Sequence, residues 1–225
     1  MISKILWTEN YLKIYELSII MSNIVPVPRS WKIQSSQKRI PVEFFSDDEI
    51  MAMQSWIINK IQENKKRSDY HKRYFLLFKT LLWTGARIDE VLAIRPLDIH
   101  LDINTIDLIT LKRRRPVIRT IPLHRDLKDA IMSYFIEFHV DMKSHGRIFP
   151  MKRQAVDLYL KRMQRDLKFK IHAHKFRHTF GVKAIMNHVP LSVLQEWLGH
   201  SSIFTTSIYT QITGMDTSQF MENMR

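Results

Sequence analysis

The segment Thr105-Ile-Asp-Leu-Ile-Thr-Leu-Lys-Arg-Arg-Arg-Pro-Val-Ile-Arg-Thr-Ile-Pro-Leu123 decides the fold class, because the hydrophobic period of the chain changes here. Apolar and polar residues alternate over 105–111 and again over 117–123, as in β-strands that bury one face. Four consecutive cations at 112–115 lie between the two runs and precede Pro116. The pattern predicts an antiparallel β-hairpin with a strongly basic tip.

Helical patterns lie on both sides of this hairpin. Ser46-Asp-Asp-Glu49 is a capping box, which predicts that a helix begins there. The sequence therefore predicts a mainly α fold with a small antiparallel β-sheet, of the α+β class. The predicted helices cover about 46–65, 70–83, 87–93, 126–138, 154–167, 174–188, 192–198 and 203–212.

The composition narrows the class of protein. The chain has 225 residues, a net charge of +13, a pI of about 10.0 and no cysteine. A protein this basic is expected to bind a polyanion, first nucleic acid and second an anionic membrane surface. The absence of cysteine excludes disulfides, thiol catalysis and cysteine-ligated zinc. The sequence has no apolar run long enough to predict a membrane span and no cleavage site typical of a signal peptide. We therefore expect a cytoplasmic protein.

A change in composition near residue 38 predicts two parts. Residues 25–41 contain three prolines and four basic side chains, which is typical of an extended, basic linker. Apolar residues at helical spacing predict one helix over 7–21. We therefore expect a short helix with a basic linker over 1–38 and a single larger domain over 39–225.

Three histidines and an arginine lie close together in Ile171-His-Ala-His-Lys-Phe-Arg-His178. On a helix His174 and Arg177 are three residues apart and share a face. The pair His174 and His178 lacks the glutamate of a metalloprotease helix, so we expect no metal site. Arginine and histidine on one face are better suited to a phosphate, because arginine offers a bidentate fork and histidine can shuttle a proton.

A second polar segment follows. Gly199 closes a short predicted helix just before His200, and Thr205 and Thr206 begin a further turn that carries Tyr209. A lone tyrosine or histidine on a helix is usually structural. The order and spacing of the whole set carry the evidence.

Together these segments resemble the catalytic domain of the tyrosine recombinases, the phage-integrase and chromosome-dimer-resolving group. The resemblance covers about residues 39–211 and implies the fold of that domain. Its boxes stand here as Thr84-Gly-Ala-Arg87 with Glu90, His174-Lys-Phe-Arg177, Leu198-Gly-His200 and Thr205-Thr-Ser-Ile-Tyr209.

The resemblance implies a reaction at a DNA phosphate. Tyr209 attacks the phosphodiester and forms a 3′-phosphotyrosine. Arg87 and Arg177 neutralise the charge that develops on the non-bridging oxygens. His174 and His200 hydrogen-bond the phosphate, and His174 takes the tyrosine proton, because a phenol of pKa about 10 needs such help.

In this family a lysine on the hairpin protonates the leaving 5′-oxygen. Lys112 is the lysine at the tip, although Arg114 occupies the ungapped position and no glycine-containing turn follows. An arginine cannot release a proton near neutral pH, so we assign the role to Lys112. The phosphotyrosine keeps the energy of the broken bond, so neither a metal nor another cofactor is expected.

Other residues receive supporting roles. We expect Glu90 to orient an arginine or a histidine, His172 and His178 to be structural, and Trp83 and Trp197 to lie in the core. Six cations are predicted to contact DNA phosphates: Arg113, Arg114, Arg115, Lys152, Arg153 and Lys175.

The predicted function is site-specific recombination of double-stranded DNA at the nucleoid, by a tetramer on DNA that is a monomer or dimer when free. Two alternatives stay open: a type IB topoisomerase-like enzyme that nicks and reseals one strand, and a non-catalytic DNA-binding regulator. Family members usually carry an N-terminal clamp domain of roughly 80–100 residues. Only about 40 residues precede the catalytic region here, so we expect that the clamp is missing, is supplied by another protein, or is replaced by the N-terminal helix and basic linker.

Overall fold

The computed structural model describes residues 42–110 and 117–210. The predicted N-terminal helix and most of the basic linker lie outside these residues. So do the hairpin tip with Lys112, Arg113, Arg114 and Arg115, and the tail after Thr210.

The described chain is mainly helical. Its one small sheet is formed by strands that lie, in chain order, between two groups of helices. This confirms the predicted fold class. The helices are α1 (Asp47–Glu63), α2 (Ser68–Thr84), α3 (Ile88–Val91), α4 (Arg125–Glu137), α5 (Arg153–Leu167), α6 (Ala173–Met186), α7 (Leu191–Leu198) and α8 (Ile203–Ser207). The strands are β1 (Ile99–His100), β2 (Thr105–Thr110) and β3 (Val117–Pro122).

Local chemistry sets several element boundaries. Ser46 caps α1 through the predicted capping box, with both of its reciprocal hydrogen bonds to Glu49 present. The helix predicted over 203–212 ends sooner, at Ser207, and Tyr209 lies in the turn that follows. Strand β1 was not predicted, because two residues are too few to show a period.

The sheet is antiparallel in the order β1-β2-β3. Opposite partners on the two long strands include Ile106 with Ile121 and Leu108 with Arg119. The buried positions of β2 are Ile106, Leu108 and Thr110, and those of β3 are Arg119 and Ile121. A charged side chain therefore occupies an inward position that apolar residues would ordinarily fill.

Helix α2 is the centre of the larger core and packs against α1, α4 and α6. The Phe176 ring of α6 meets those of Phe45 and Phe78 edge to face, at centroid distances of 4.8 and 5.4 Å. Trp83 and Trp197 are partly buried against this core. A smaller cluster joins α6 and α7 around one tyrosine: Val182, Ala184, Ile185, Leu194, Leu198 and Tyr209.

Candidate active site

Two helices end in glycines that lead directly into site residues. Gly85 ends α2 with φ 59°, and Gly199 ends α7 with φ 64°, a conformation that favours glycine. A Cβ on Gly85 would lie 2.5 Å from Cδ1 of Phe180, so a larger residue would not fit there. Because the turns are tight, Arg87 and His200 follow within two residues and lie beside the helix ends.

Arg87 is held by Glu90 at the start of α3. The Arg87 backbone N–H donates to Glu90 Oε2 at 2.9 Å, and its Nη1 donates to Oε1 at 3.1 Å. Glu90 is buried. Burial opposes its ionisation, but hydrogen bonds and charges of Arg119 and Arg87 keep the Glu90 pKa below its ordinary value. A carboxylate that is already ionised can orient Arg87, as the sequence predicted for Glu90.

Arg119 is a site residue that the sequence analysis did not single out. Its guanidinium donates to Glu90 Oε2 at 2.6 Å, to Thr110 Oγ1 at 2.9 Å and to the Trp197 carbonyl at 2.8 Å. A signal was present in the sequence, because Arg119 is separated by two and four positions from the apolar residues Ile121 and Leu123. Residues at this spacing point to the same face of a strand. A cation on the apolar face of a strand indicates a buried ion pair.

Arg177 lies almost fully buried between two helix ends. Its Nη1 donates to the Gly85 carbonyl at 2.9 Å, and its Nη2 donates to the Leu198 carbonyl at 2.7 Å. The carboxyl ends of helices favour cations. Burial and the nearby charge of Arg87 lower the pKa of Arg177 to about 10, so the guanidinium stays charged at neutral pH.

His200 follows the end of α7 and is held by a hydrogen bond between its Nδ1 and Thr206 Oγ1 at 2.9 Å. Burial and the positive charges of Arg177, Arg87 and Arg119 lower the pKa of His200 to about 4. The imidazole is therefore neutral at pH 7 and can donate a single hydrogen bond to a phosphate.

The Tyr209 ring packs on α6 at Gly181. A Cβ on Gly181 would lie 2.6 Å from ring carbons Cε2 and Cζ, so the missing side chain makes room for the ring. Tyr209 is 1% exposed. Burial raises the pKa of Tyr209, which the charge of Arg177 partly opposes. The phenol is therefore protonated at neutral pH and needs a proton acceptor before it can attack.

The imidazole at the Tyr209 hydroxyl is His178, for which we expected a structural role. Its Nδ1 lies 3.2 Å from the hydroxyl oxygen. Burial and the charges of His174 and Arg177 lower the pKa of His178 to about 4, so the ring is neutral at pH 7. The exposed His174 packs edge to face on His178, with centroids 4.5 Å apart. The two histidines therefore form one pair beside the tyrosine.

A concavity of about 550 Å³ opens between β3 and α7. Its wall includes Thr110, Ile118, Arg119, Gln195, Gly199 and His200. Among residues 42–110 and 117–210, no three histidine or acidic side chains are placed to hold a metal ion. No helix in those two ranges is long and apolar enough to cross a membrane.

The predicted DNA-binding cations have different positions. Lys152 is exposed at the start of α5. Arg153 is also exposed, and its Nη1 donates to Asp89 at 2.9 Å. Lys175 contradicts the prediction: it is 6% exposed, and its ammonium lies 4.4 Å from the centre of the Phe45 ring. A side chain turned into the protein cannot reach a DNA phosphate.

Fold and site together define a catalytic domain of the integrase type. The chain belongs to the phage integrase family, whose sequence profile matches residues 31–214. It is 26% identical over 195 residues to a tyrosine recombinase XerD from Halalkalibacterium halodurans, covering 81% of this chain and 61% of that protein. It is 27% identical over 189 residues to a tyrosine recombinase XerA from Saccharolobus solfataricus, covering 84% and 62%. The chain thus spans less than two thirds of these relatives.

Solved structures share the fold. A crystal structure of XerA recombinase matches with a TM-score of 0.61 at 20% identity, covering 83% of this chain and 65% of that one. The catalytic domain of bacteriophage HP1 integrase matches with a TM-score of 0.59 at 21% identity, covering 82% and 96%. XerH recombinase bound to its difH substrate before cleavage matches with a TM-score of 0.60 at 19% identity, covering 86% and 56%.

Proposed function

We propose that this chain carries the catalytic domain of a site-specific DNA recombinase, with Tyr209 as the nucleophile. The observation that carries the proposal is the position of Arg177. It is buried between the ends of α2 and α7, where burial and the charge of Arg87 lower its pKa, and its own charge partly opposes the rise in the pKa of Tyr209. Two guanidinium groups held by hydrogen bonds therefore lie near a tyrosine and the neutral His178 and His200, and this combination supports an attack on a phosphodiester at this site.

In the proposed reaction the Tyr209 oxygen forms a bond to phosphorus and the bond from phosphorus to the 5′-oxygen breaks. The pair His174 and His178 takes the phenolic proton. Lys112 supplies a proton to the leaving 5′-oxygen. Arg87 and Arg177 neutralise the non-bridging oxygens, and rejoining reverses these steps with a new 5′-hydroxyl.

The proposal requires a movement. The Tyr209 side chain is almost fully buried, so the segment around α8 must shift for its hydroxyl to reach a phosphate. That segment is short, and it is held by the Tyr209 ring on Gly181 and by the buried Thr206, which hydrogen-bonds His200. We propose that double-stranded DNA, a tetrameric assembly and an accessory protein drive this shift at the nucleoid.

Trapping of the covalent intermediate tests the proposal. The whole chain is incubated with a pool of nicked duplexes with randomised arms, denatured with detergent, and the DNA that stays attached is sequenced. We expect an adduct at a preferred sequence that is lost in Tyr209→Phe. The adduct should persist in Tyr70→Phe, which alters a half-exposed tyrosine on α2.

Three results would contradict parts of the proposal. No adduct from wild-type protein on duplexes that it binds would favour the regulator. An adduct that survives Tyr209→Phe would place the nucleophile elsewhere. Relaxation of supercoiled DNA bearing two copies of the recovered site, without strand exchange between them, would favour the topoisomerase-like enzyme.

A further inference from the structure

We infer that Arg119 is a positioning residue that ties three separate parts of the active site to one another. Its partners are Glu90, which holds Arg87, the Trp197 carbonyl, which lies three residues before His200, and Thr110, which lies two residues before Lys112. The inference rests on the proposed function. It adds how the proposed catalytic groups are held in fixed positions relative to one another.

The contacts of Arg119 reach three elements in three directions. Its Nη2, Nη1 and Nε donate to α3, β2 and α7, all within 2.9 Å. The side chain is 5% exposed, so water competes little with these bonds. An arginine can do this because its planar fork presents several donors at fixed angles, whereas the single nitrogen of a lysine cannot span three such acceptors.

Glu90 transmits the position of Arg119 to Arg87. Its Oε2 accepts from both Arg119 Nη2 and the Arg87 backbone, and its Oε1 accepts from the Arg87 side chain. Both carboxylate oxygens are thus in use, and the group is 2% exposed. Without Arg119 the buried carboxylate loses its shortest hydrogen bond and is free to rotate, and Arg87 moves with it.

The backbone before His200 rests on the same side chain. A Cβ on Gly199 would lie 3.3 Å from Cδ and Nη1 of Arg119, so the glycine backbone packs directly on the guanidinium stem. Arg119 and His200 also face the concavity between β3 and α7 together. A shift of Arg119 is therefore passed to His200 through the end of α7.

The third branch ends at Thr110, which lies two positions before the proposed general acid Lys112 in the sequence. Thr110 is the last residue of β2 and its Oγ1 accepts from Arg119 Nη1, so this bond fixes the end of β2. Thr110→Val removes the acceptor while keeping the shape of the side chain. Thr105→Val is the matched control on the same strand, because Thr105 Oγ1 is buried without a hydrogen-bond partner among the described residues.

Cleavage of two DNA substrates tests the inference. One is the ordinary nicked duplex recovered above. The other has sulfur in place of the bridging 5′-oxygen, and it needs no protonated leaving group because thiol pKa values lie near 8.5. Single-turnover rates are measured for wild type, Lys112→Ala, Thr110→Val, Thr105→Val and Arg119→Lys. DNA affinity and thermal midpoint are measured in parallel.

We expect Thr110→Val to cleave the oxygen substrate about tenfold more slowly and the sulfur substrate at nearly the wild-type rate, a weaker form of the Lys112→Ala pattern. Arg119→Lys should cleave the oxygen substrate about 100-fold more slowly than wild type. The sulfur substrate should restore only part of this rate, because Arg87 and His200 are also misplaced. Its DNA affinity should stay within about twofold, because the Arg119 side chain is only 5% exposed and its three nitrogens already donate to protein acceptors. Thr105→Val should match wild type.

A wild-type rate in Arg119→Lys would overturn the inference. Equal losses of Thr110→Val on both substrates would overturn the branch to the hairpin. If a variant forms adduct with the wild-type rate constant but reaches a smaller final amount, the residue has a role in folding only. In each case wild-type protein still cleaves, so the proposed function stands. If wild-type protein does not cleave, both proposals fail.

Discussion

At the scale of single residues, the tyrosine depends on a glycine opposite its ring. Gly181 lies within α6, where glycine is otherwise unfavourable by about 1 kcal/mol relative to alanine. The Tyr209 ring occupies the space that a side chain would take, because ring carbons lie 2.6 Å from an ideal Cβ. Carbon atoms pack at about 3.5–4.0 Å, so the ring must move if a methyl group is added.

Gly181→Ala should therefore lower both stability and cleavage. The gain in helix propensity is about 1 kcal/mol and overpacking costs about 1–3 kcal/mol, so we expect a net loss of up to about 2 kcal/mol. The rate of adduct formation should fall at least about tenfold, because Tyr209 and its bond to His178 are displaced. Urea unfolding and single-turnover cleavage measure the two effects.

Gly146→Ala is the control, because Gly146 is exposed in the loop before α5 and has room for a methyl group once Ser144 Oγ, 3.3 Å away, rotates. It should change neither quantity. A wild-type cleavage rate in Gly181→Ala would show that the position of Tyr209 on α6 is unrelated to the reaction.

The residue scale also separates what the sequence could and could not indicate. Arg87, Arg177, His200 and Tyr209 were predicted because their boxes have fixed local spacing. Which imidazole touches the Tyr209 hydroxyl could not be predicted, since His174 and His178 share one helix face and differ only in how α6 packs. The contact joins residues 31 positions apart.

At the scale of elements, the site is built on helix ends in the left-handed conformation. Gly85 and Gly199 adopt this conformation without strain. The carbonyls of Gly85 and Leu198 accept hydrogen bonds from Arg177. Lys168 ends α5 with φ 64°, in the same conformation but with a side chain. A residue other than glycine costs roughly 1–2 kcal/mol there, whereas glycine loses about 0.5–1 kcal/mol in backbone entropy.

Lys168→Gly should consequently stabilise the protein by about 0.5–1 kcal/mol, measured by urea unfolding. The backbone hydrogen bond from Lys168 to the Gln164 carbonyl needs no side chain and should persist. Lys161→Gly, at an exposed position inside α5, removes the same charge and should destabilise by about 1 kcal/mol. A loss of stability in Lys168→Gly would contradict this account of the helix end.

Element boundaries were predictable where a local signal exists. The capping box at Ser46 and the glycine at 199 each depend on one or two turns of chain, and the structure confirms them. The end of α8 had no such signal. Just beyond that end Tyr209 packs on Gly181, a contact that brings distant residues together.

At the scale of the whole molecule, the net charge of +13 favours binding to DNA phosphates. Each phosphate contact releases counterions, so the logarithm of affinity falls with the logarithm of salt concentration by about 0.9 per contact. Lys152 is exposed and Lys175 is buried beside Glu49, so equal charges have unequal access to DNA.

Lys152→Ala should therefore reduce the magnitude of the salt slope by about 0.9, whereas Lys175→Met should leave it unchanged. Both variants remove one positive charge, so a difference between them reports access and not net charge. Binding to duplex DNA at salt concentrations from 50 to about 200 mM measures the slope. Equal slopes for the two variants would contradict the assignment of Lys152 as a phosphate contact.

The sequence by itself determined the fold class and supplied most of the residues proposed for the site. Hydrophobic period, capping residues and glycine positions are local properties, and each is written within a few residues of chain. The change of period at 105–123 was enough to separate an α+β domain from a helical bundle. The order of the arginine, histidine and tyrosine boxes was enough to place the chain in its family.

Only the tertiary structure decided how those residues work together. It turned Lys175 inward and set Arg119 between Glu90, Thr110 and Trp197, across separations of 9 to 78 residues. Burial and contacts of this kind depend on how whole elements pack, and no local pattern encodes them. The residues proposed for the reaction centre could be predicted from the chain, but the hydrogen bonds of Arg119 to three separate elements required the fold.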